Sequence, residues 1–257
     1  MNSKEKVKNS YNLHAKEWTD NYSLRNYTHS HIEKPAILNL LGNIKNKKIL
    51  CIGCGDGEEA NLFYEKGAKV IGFDLSQKLI DIARSKYPNI KFYVGDSETF
   101  SIKETFDIAY AGFVVHYLPN YKKFLSNTSN LLKDNGELVF SIVHPIKRSL
   151  EVKRFNNRKY KLLGSSKLED GSNQETYGDY LNAREVSIKF GEDFESINFH
   201  RTIGEQIKDI LDSDFELLDF IEPKPIKKTE KDYPAKYDAD CKIPEVLIYH
   251  LRKRRNN

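Results

Sequence analysis

The 257-residue chain is predicted to form an α/β fold built on one doubly wound, mostly parallel sheet with helices on both faces. Short apolar runs alternate five times with segments of helical periodicity. Runs such as residues 138–143 are apolar at nearly every position, which is typical of strands that are buried on both faces. The glycines Gly53, Gly55 and Gly57 directly follow the first run, as expected where a strand turns sharply into a helix.

Capping and turn residues delimit the predicted elements. Gly67 is expected to end the first helix of the core, Ser76 to cap the second and Thr202 to cap the last. An Asp-Asn-Gly turn at residues 134–136 is expected to separate the third helix from the fifth strand. The predicted strands are 49–52, 69–74, 90–94, 106–113, 137–143, 216–221 and 246–251, and the predicted helices are 58–66, 77–86, 121–132 and 204–212.

Two stretches lie outside this core. Residues 1–46 are predicted to be helical, with an aromatic flank formed by Tyr11, Leu13, His14, Trp18 and Tyr22. Residues 146–201 are polar and basic at first, then rich in glycine, and finally alternate in a strand-like way. Because a structureless loop of this length without a function is uncommon, we interpret residues 146–201 as a lid over the substrate side of the sheet.

Composition excludes several classes of protein. The net charge of +4 is too small to indicate a polyanionic partner by itself, and no apolar run approaches the roughly 20 residues needed to cross a membrane. The N-terminus lacks the apolar segment of a signal peptide. The cysteines, Cys51, Cys54 and Cys241, are odd in number, which argues against a disulfide framework, so a cytoplasmic protein is expected. Cys51 and Cys54 form a C-x-x-C pair, but without a second pair we predict no metal site.

The glycine turn predicts a nucleoside site. Asp74 ends the second predicted strand 21 positions after Gly53, the spacing at which a strand–helix–strand unit returns a carboxylate to the turn, where it can accept hydrogen bonds from ribose hydroxyls. The glycine spacing is G-x-G-x-G rather than the G-x-G-x-x-G of dinucleotide folds. Glu58 and Glu59 in the first helical turn would repel a pyrophosphate, which disfavours a dinucleotide oxidoreductase.

Together with the Val-Gly-Asp-Ser segment at residues 94–97, these features resemble class I S-adenosylmethionine-dependent methyltransferases, most closely the type 11 small-molecule group. The resemblance implies a Rossmann-like, seven-stranded, mostly parallel sheet whose last strand is antiparallel, with S-adenosylmethionine as cofactor. It implies a single domain, 1–257, made of an N-terminal helical cap (1–46), a cofactor-binding core (47–145), a lid insertion (146–201) and a C-terminal helix and strand hairpin (202–257).

The resemblance also assigns roles in binding the cofactor. Gly53 and Gly55, with Cys54 between them, let the backbone reach the methionine moiety, Asp74 holds the ribose, and Leu75 lies against the adenine. In the same way, the Asp96 carboxylate accepts from the adenine amino group and the Ser97 backbone contacts the ring edge. Ala111 and Gly112 leave room for the sulfonium, and Tyr11 covers the methionine carboxylate.

One position departs from the family pattern. Cys51 stands where the family usually has an acidic residue that organises the methionine end of the pocket. Asp56, Glu58 or Glu59 is expected to compensate for the missing carboxylate.

Four residues are candidates for the acceptor side. His144 follows the fifth predicted strand and is the candidate general base, with a hydrogen bond inside a loop as the alternative. His116 is a candidate substrate-binding residue, with packing at a helix start as the alternative. His200 and Arg201 match a family segment that borders the acceptor; Arg201 could hold a carboxylate in bidentate fashion, or it could simply anchor the lid.

The expected activity is methyl transfer to a small-molecule acceptor by in-line displacement, for which positioning supplies much of the rate. The alternative enzyme is a tRNA or other nucleic-acid methyltransferase that uses the basic cluster at residues 147–161. A non-enzymatic module that binds S-adenosylmethionine is the third hypothesis, motivated by Cys51.

Overall fold

A computed structural model describes residues 2–21, 27–190 and 193–255. Its centre is a seven-stranded sheet with the order β12-β13-β5-β4-β1-β2-β3. The strands are β1 Lys48–Ile52, β2 Lys69–Asp74, β3 Lys91–Val94, β4 Phe106–Gly112, β5 Leu132–Val143, β12 Phe215–Ile221 and β13 Val246–Lys253. All neighbouring pairs are parallel except those of β13, which runs antiparallel to both β5 and β12, so the predicted fold class is confirmed.

Helices cover both faces of the sheet, as the alternating pattern predicts. They are α1 Ser3–Leu13, α2 Ala15–Asp20, α3 Lys34–Leu41, α4 Glu58–Glu65, α5 Gln77–Lys86, α6 Tyr121–Leu131, α7 Pro145–Ser149, α8 Ile203–Leu211, α9 Thr229–Asp232 and α10 Pro234–Asp240, with a π-helical turn at His29–Glu33 leading into α3. The described part of the N-terminal stretch is therefore mostly helical as far as Leu41, residues 42–46 are not helical, and Tyr22 lies outside the described residues. The short helices α9 and α10 were not predicted from the sequence.

The predicted caps hold. Ser76 Oγ accepts from the Leu79 N–H at 3.2 Å at the start of α5. Thr202 and Glu205 form a reciprocal capping box at the start of α8, so two N–H groups that the helix leaves unpaired are satisfied. Gly67 follows α4 with φ +85°, a left-handed conformation suited to glycine.

The Asp-Asn-Gly segment does not separate the third core helix from the fifth strand, as was predicted. β5 begins at Leu132 rather than at residue 137, and Leu132 pairs with Phe106 of β4. The register between β4 and β5 shifts after Phe106, and Asn135 takes φ +58°. The segment therefore forms an irregularity inside a continuous strand, because pairing with β4 supplies hydrogen bonds on both sides of it.

The core lies on the two faces of the sheet. Alternate residues of the central strands pack against opposite helix layers, Leu50 and Phe140 on one side and Cys51 and Val139 on the other. All four are essentially inaccessible to solvent, which explains why these strands are apolar at nearly every position. The described residues contain no helix long and apolar enough to cross a membrane.

The insertion at residues 146–201 contains α7 and three two-stranded hairpins: β6 Glu151–Phe155 with β7 Arg158–Leu162, β8 Gly164–Ser166 with β9 Glu175–Tyr177, and β10 Arg184–Lys189 with β11 Glu195–His200. The first two hairpins are mostly exposed. The third packs against α1, where Ser10 Oγ donates to the Glu195 carbonyl and Phe194 stacks on His14. The β10–β11 hairpin is thus in contact with α1.

Candidate ligand-binding site

A cavity of about 580 Å³ lies at the carboxyl ends of the parallel strands, where open α/β sheets bind ligands. Its floor is formed by the segments that follow β1, β2, β3 and β4, and α1 and the β10–β11 hairpin cover it; these two elements are called the roof below. The lining includes Gly53, Cys54, Gly55, Asp74, Leu75, Asp96, Ser97, Gly112, Tyr11 and His116, which the sequence predicted as site residues.

The glycine turn is shaped by close packing on one side and open space on the other. Gly53, Gly55 and Gly57 have φ values of +61°, +55° and +87°, which other residues rarely adopt. A Cβ on Gly53 would come within 2.3 Å of Val114 Cγ2, whereas a Cβ on Gly55 would meet nothing within 4 Å. The turn therefore exposes bare backbone to the cavity at Gly55 while it seals the sheet at Gly53.

Asp74 closes the turn. Its Oδ2 accepts from the Gly55 N–H at 3.0 Å and its Oδ1 accepts from the Ser76 N–H at 2.8 Å. Burial raises the pKa of Asp74, although the N–H groups of Ser76 and Gly55 stabilise the charged form. Each carboxylate oxygen has a second lone pair, so this side chain can also accept from a pair of ligand hydroxyls.

Asp96 lies on the next strand end and is held by a residue from the far N-terminus. Lys4 Nζ of α1 lies 2.7 Å from Asp96 Oδ2 and 2.8 Å from Glu98 Oε2, while Asp96 Oδ1 accepts from the Glu98 N–H at 2.9 Å. The sequence analysis missed Lys4, because no local pattern connects positions 92 residues apart. This contact ties α1 to the wall of the cavity.

The roof is aromatic. Tyr11 of α1 donates a hydrogen bond from its hydroxyl to the Tyr117 hydroxyl at 2.7 Å and meets Tyr117, Trp18 and Phe194 edge to face at centroid distances of 5.6, 5.3 and 5.4 Å. Trp18 also contacts Phe190 beyond β10. Such contacts bury apolar area and exclude water from the space below.

A buried ionic network lies beside the glycine turn. His29 Nδ1 is 2.9 Å from Glu33 Oε2 and His29 Nε2 is 2.5 Å from Glu59 Oε1, and both His29 and Glu59 line the cavity. Glu33 is fully buried and accepts from the Tyr110 hydroxyl at 2.7 Å and from Ser141 Oγ at 2.9 Å. Burial by itself lowers the pKa of His29, but the charges of Glu33 and Glu59 and their hydrogen bonds raise it to about 10. His29 is therefore an imidazolium at neutral pH.

The network bears on the departure at Cys51. Cys51 is buried in the core and does not line the cavity, whereas Glu59 lines it. Burial is the main cause that raises the pKa of the Cys51 thiol, and the nearby charge of Glu59 raises it further. Asp56 also lines the cavity but is paired with Lys86 at 2.6 Å, and Glu58 lies outside the lining. Of the three carboxylates expected to compensate, Glu59 is the one best placed.

The structure corrects the placement of His144. Its ring is buried, Nε2 lies 2.8 Å from Glu222 Oε1, and Nδ1 accepts from the Ile146 N–H at 3.2 Å, which makes it the cap of α7. It is not among the residues that line the cavity. Both ring nitrogens are therefore engaged, Nδ1 at the start of α7 and Nε2 with Glu222.

Ala111, His200 and Arg201 also lie outside the cavity lining. Ala111 is buried within β4, and Gly112 reaches the cavity in its place. His200 Nε2 contacts the Tyr180 carbonyl at 2.8 Å. Arg201 donates to the carbonyls of residues 118 and 119 at 2.8 and 2.9 Å, so both side chains anchor the insertion, which was the alternative interpretation.

His116 lines the cavity as predicted, and Arg148 lines it beside His116 although the sequence analysis did not single it out. His116 Nδ1 is buried without a hydrogen-bond partner in the described part of the chain. Burial and the positive charge of Arg148 hold the pKa of His116 well below its usual range, so the imidazole is neutral. The described residues contain no cluster of histidine, cysteine and carboxylate side chains that could hold a metal ion.

Comparison with known proteins agrees with this geometry. Residues 50–140 match a family model described as a methyltransferase domain. An uncharacterized protein of Haemophilus influenzae is 38% identical over 125 residues, which cover 45% of this chain and 49% of that protein. The ubiquinone biosynthesis O-methyltransferase of Coxiella burnetii is 30% identical over 106 residues, which cover 39% of this chain and 45% of that enzyme. The chain thus matches these curated relatives over about half of their length.

A solved S-adenosylmethionine-dependent methyltransferase from Mesorhizobium loti has the same fold. It superposes with a TM-score of 0.70 at 23% identity, covering 86% of this chain and 97% of that one. At this identity the likeness establishes the fold. Residues 50–140 therefore resemble a methyltransferase domain, and the chain has the fold of the solved Mesorhizobium loti protein.

Proposed function

We propose that this protein transfers a methyl group from S-adenosylmethionine to a small-molecule acceptor. The observation that carries the proposal is the joint placement of Asp74 and the bare backbone of Gly55 at the floor of one cavity at the carboxyl edge of the sheet. The family match over residues 50–140, which spans β2, β3 and β4, supports it.

The residues present fit the cofactor. Asp74 would hold the ribose hydroxyls, Leu75 would lie against the adenine, and Asp96 and Ser97 would face the ring edge. A cofactor amino group at Asp96 would share the carboxylate with Lys4, which already neutralises it. At Gly55 the open space that a Cβ would fill leaves room for the methionine moiety.

Glu59 would take the place of the acidic residue that Cys51 replaces. The His29–Glu33–Glu59 network carries two carboxylates and one imidazolium, so it has a net charge of −1 beside the glycine turn. A cationic ammonium group is favoured there by this excess negative charge. His29 at the same time fixes the orientation of the Glu59 carboxylate.

Bound S-adenosylmethionine supplies a methyl group already activated by a sulfonium. The protein therefore has to align the acceptor with that methyl and keep water out, which accounts for much of the rate of in-line displacement. Gly112 keeps the end of β4 free of side-chain bulk, and the aromatic roof of Tyr11, Trp18 and Phe190 excludes water. His116 lines the cavity and His144 does not, so in this proposal the neutral imidazole of His116 would accept a hydrogen bond from the acceptor.

Two observations favour a small acceptor. The acceptor must enter a cavity covered by α1 and the β10–β11 hairpin, and α1 is tied down at Asp96, Ser76 and Glu195. One matched relative is named for O-methylation in ubiquinone biosynthesis.

The free thiols of Cys51, Cys54 and Cys241 suit the cytoplasmic setting we propose.

Calorimetry tests the cofactor assignment. S-adenosylhomocysteine is expected to bind wild-type protein and raise its melting temperature, and NAD is not. Asp74→Ala is expected to weaken S-adenosylhomocysteine binding by about 1–3 kcal/mol, because the hydroxyls lose a charged acceptor. Asp81→Ala on the outer face of α5 is the matched control and should bind normally. Stabilisation by NAD alone, or an unchanged affinity in Asp74→Ala, contradicts the proposal, and binding without turnover of any acceptor favours a cofactor-binding module.

Transfer to a nucleic acid is the second candidate, and the exposed β6–β7 hairpin favours it. Its two strands are joined by a turn at Asn156 and Asn157, and they present five cationic side chains to solvent. The side chain of Phe155, which lies between these cations, is 67% exposed. The five are Lys153, Arg154, Arg158, Lys159 and Lys161. Phosphate contacts by this hairpin would make RNA binding weaken steeply with salt, and an Arg154→Ala, Lys159→Ala double variant would reduce that dependence.

A further inference from the structure

Arg148 stands out among the residues that line the cavity. It lies on α7, the short helix that follows β5, so it enters the cavity beyond the end of β4, on the side away from the glycine turn and Asp74. Burial is the largest influence on its guanidinium and lowers its pKa, yet an arginine remains charged. The cavity wall thus contains a partly desolvated positive charge.

That charge has no carboxylate partner within residues 2–21, 27–190 and 193–255. Its Nε is buried and makes no hydrogen bond. The nearby carboxylate is Glu245, which is in contact with the Lys147 ammonium instead. Removing a guanidinium from water without a partner is costly, so such a group is expected where a ligand supplies the missing anion.

His116 provides a second unsatisfied group in the same wall. Its Nδ1 has no partner, and it is close enough to Arg148 for the two to interact electrostatically. A neutral imidazole offers one donor and one acceptor nitrogen, which suits a hydroxyl or amine of the ligand. The two groups together therefore present a fixed cation and a neutral hydrogen-bonding site side by side.

The surrounding side chains suit a flat ligand. Tyr117 follows His116 in sequence, its ring lies 4.4 Å from that of His116, and Tyr11 closes over it from α1. Aromatic faces bind planar rings by offset or edge-to-face contact.

We infer that the acceptor is a small planar molecule with a carboxylate, which Arg148 binds, and that His116 contacts the hydroxyl or amine that receives the methyl group. This inference rests on the proposed function. A single guanidinium balances one negative charge and matches the two oxygens of a carboxylate in its planar fork. The carboxylate then orients the ring so that its nucleophilic group faces Gly112 at the end of β4.

The test uses matched pairs of probes that differ only in charge. Hydroxybenzoates and the corresponding hydroxybenzamides are titrated by calorimetry into full-length protein saturated with S-adenosylhomocysteine. The proteins are wild type, Arg148→Met, Arg148→Lys and, as a control that removes an equal charge from an exposed site outside the cavity, Arg255→Met. The affinity for S-adenosylhomocysteine is measured separately in each.

Wild type is expected to bind the hydroxybenzoates about ten-fold or more tightly than the amides, because a hydrogen bond to a charged group contributes a difference in affinity of this size. Arg148→Met should abolish this preference, Arg148→Lys should keep a smaller part of it, and Arg255→Met should leave it intact. All four proteins should bind S-adenosylhomocysteine equally. If Arg148→Met does not fold, the inference is tested by the acid and amide affinities of wild type and by the reduced preference for acids in Arg148→Lys.

Three results overturn the inference. The first is equal binding of acids and amides by wild type, including no binding of either. The second is a preference for acids that survives in Arg148→Met. The third is a loss of S-adenosylhomocysteine affinity in Arg148→Met with the acid preference unchanged, which would assign the guanidinium to the cofactor carboxylate. Failure of the proposed function is distinguishable, because wild type would then not bind S-adenosylhomocysteine at all.

Discussion

At the scale of single residues, the sequence predicted the cavity floor and missed most of its ionic contacts. Gly55 and Asp74 were predictable because their spacing follows from the length of one strand–helix–strand unit. Lys4, His29 and Arg148 reach the cavity from segments outside that unit, and no local pattern in the sequence indicates the ion pairs of Lys4 and His29 or the position of Arg148 in the cavity wall. A buried histidine between two glutamates is recognisable once the fold has brought positions 29, 33 and 59 together.

The His29 network predicts a pH dependence of stability. The pKa of His29 rises from about 6.5 in the unfolded chain to about 10 in the folded protein. Its stabilising contribution is therefore complete below about pH 6.5 and is lost as the pH rises through about 10. The free energy of unfolding, measured with urea at several pH values, should fall between these limits.

The variant His29→Gln should lose that slope. It should also be less stable by about 3–5 kcal/mol at neutral pH, since Glu33 is left buried without its cation. The matched control is His250→Gln, which changes a histidine of β13 that is paired with Glu137 of β5. This variant should keep the pH dependence of stability. A wild-type stability that stays constant from pH 6.5 to 10 would show that His29 is not charged in the folded state.

At the scale of elements, prediction succeeded where local signals agree with packing. The helix α5 and the strand β2 have the predicted bounds, because capping at Ser76 and burial of β2 act together. The fifth strand was predicted too short, since the turn signal at residues 134–136 is overridden by pairing with β4. The hairpins of residues 146–201 have short strands that pair with each other rather than with the main sheet, and their pattern in the sequence is correspondingly weak.

His144 has an element-scale role in joining β5 to the segment after β12. Its ring bonds Glu222, which follows β12, and caps α7, so it connects two parts of the chain 78 residues apart. We expect His144→Ala to lower the free energy of unfolding by about 1–3 kcal/mol, the usual cost of losing such a bond. Cofactor affinity should change little.

The pH dependence of turnover separates this role from catalysis. If His144 only supports the structure, kcat/KM of His144→Ala should keep the pH profile of wild type over the range where histidine titrates. The control for stability is Lys253→Ala, which removes the hydrogen bond from Lys253 Nζ to the Leu132 carbonyl and so also breaks a bond between segments that are distant in sequence. A rate reduced about 10²-fold or more in a variant of normal stability would restore His144 as general base.

At the scale of the whole molecule, the chain divides into a central sheet and a roof that is assembled from the N-terminal helix α1 and the β10–β11 hairpin of the insertion. The central strands β1 and β4 are buried on both faces, whereas α1 is held to the cavity by Lys4, Asn12 and the aromatic cluster around Tyr11. The lid predicted for residues 146–201 is thus best proposed for β10–β11 alone, in partnership with α1. The β6–β7 hairpin points into solvent and lies outside the roof.

Hydrogen exchange on the full chain tests this division. Amides of β1, β4 and β5 should exchange slowly with or without ligand, because their opening requires loss of the core. Amides of α1 and β10–β11 should exchange faster in the free protein and slow down when S-adenosylhomocysteine binds, since the ligand fills the space that the roof covers. Amides of β6–β7 should not respond, which makes that hairpin an internal control. If amide exchange slows equally in all three hairpins on binding, the insertion closes as one lid. If the amides of the roof exchange as slowly as those of the sheet in the free protein, the cavity is permanently covered and the acceptor needs another entrance.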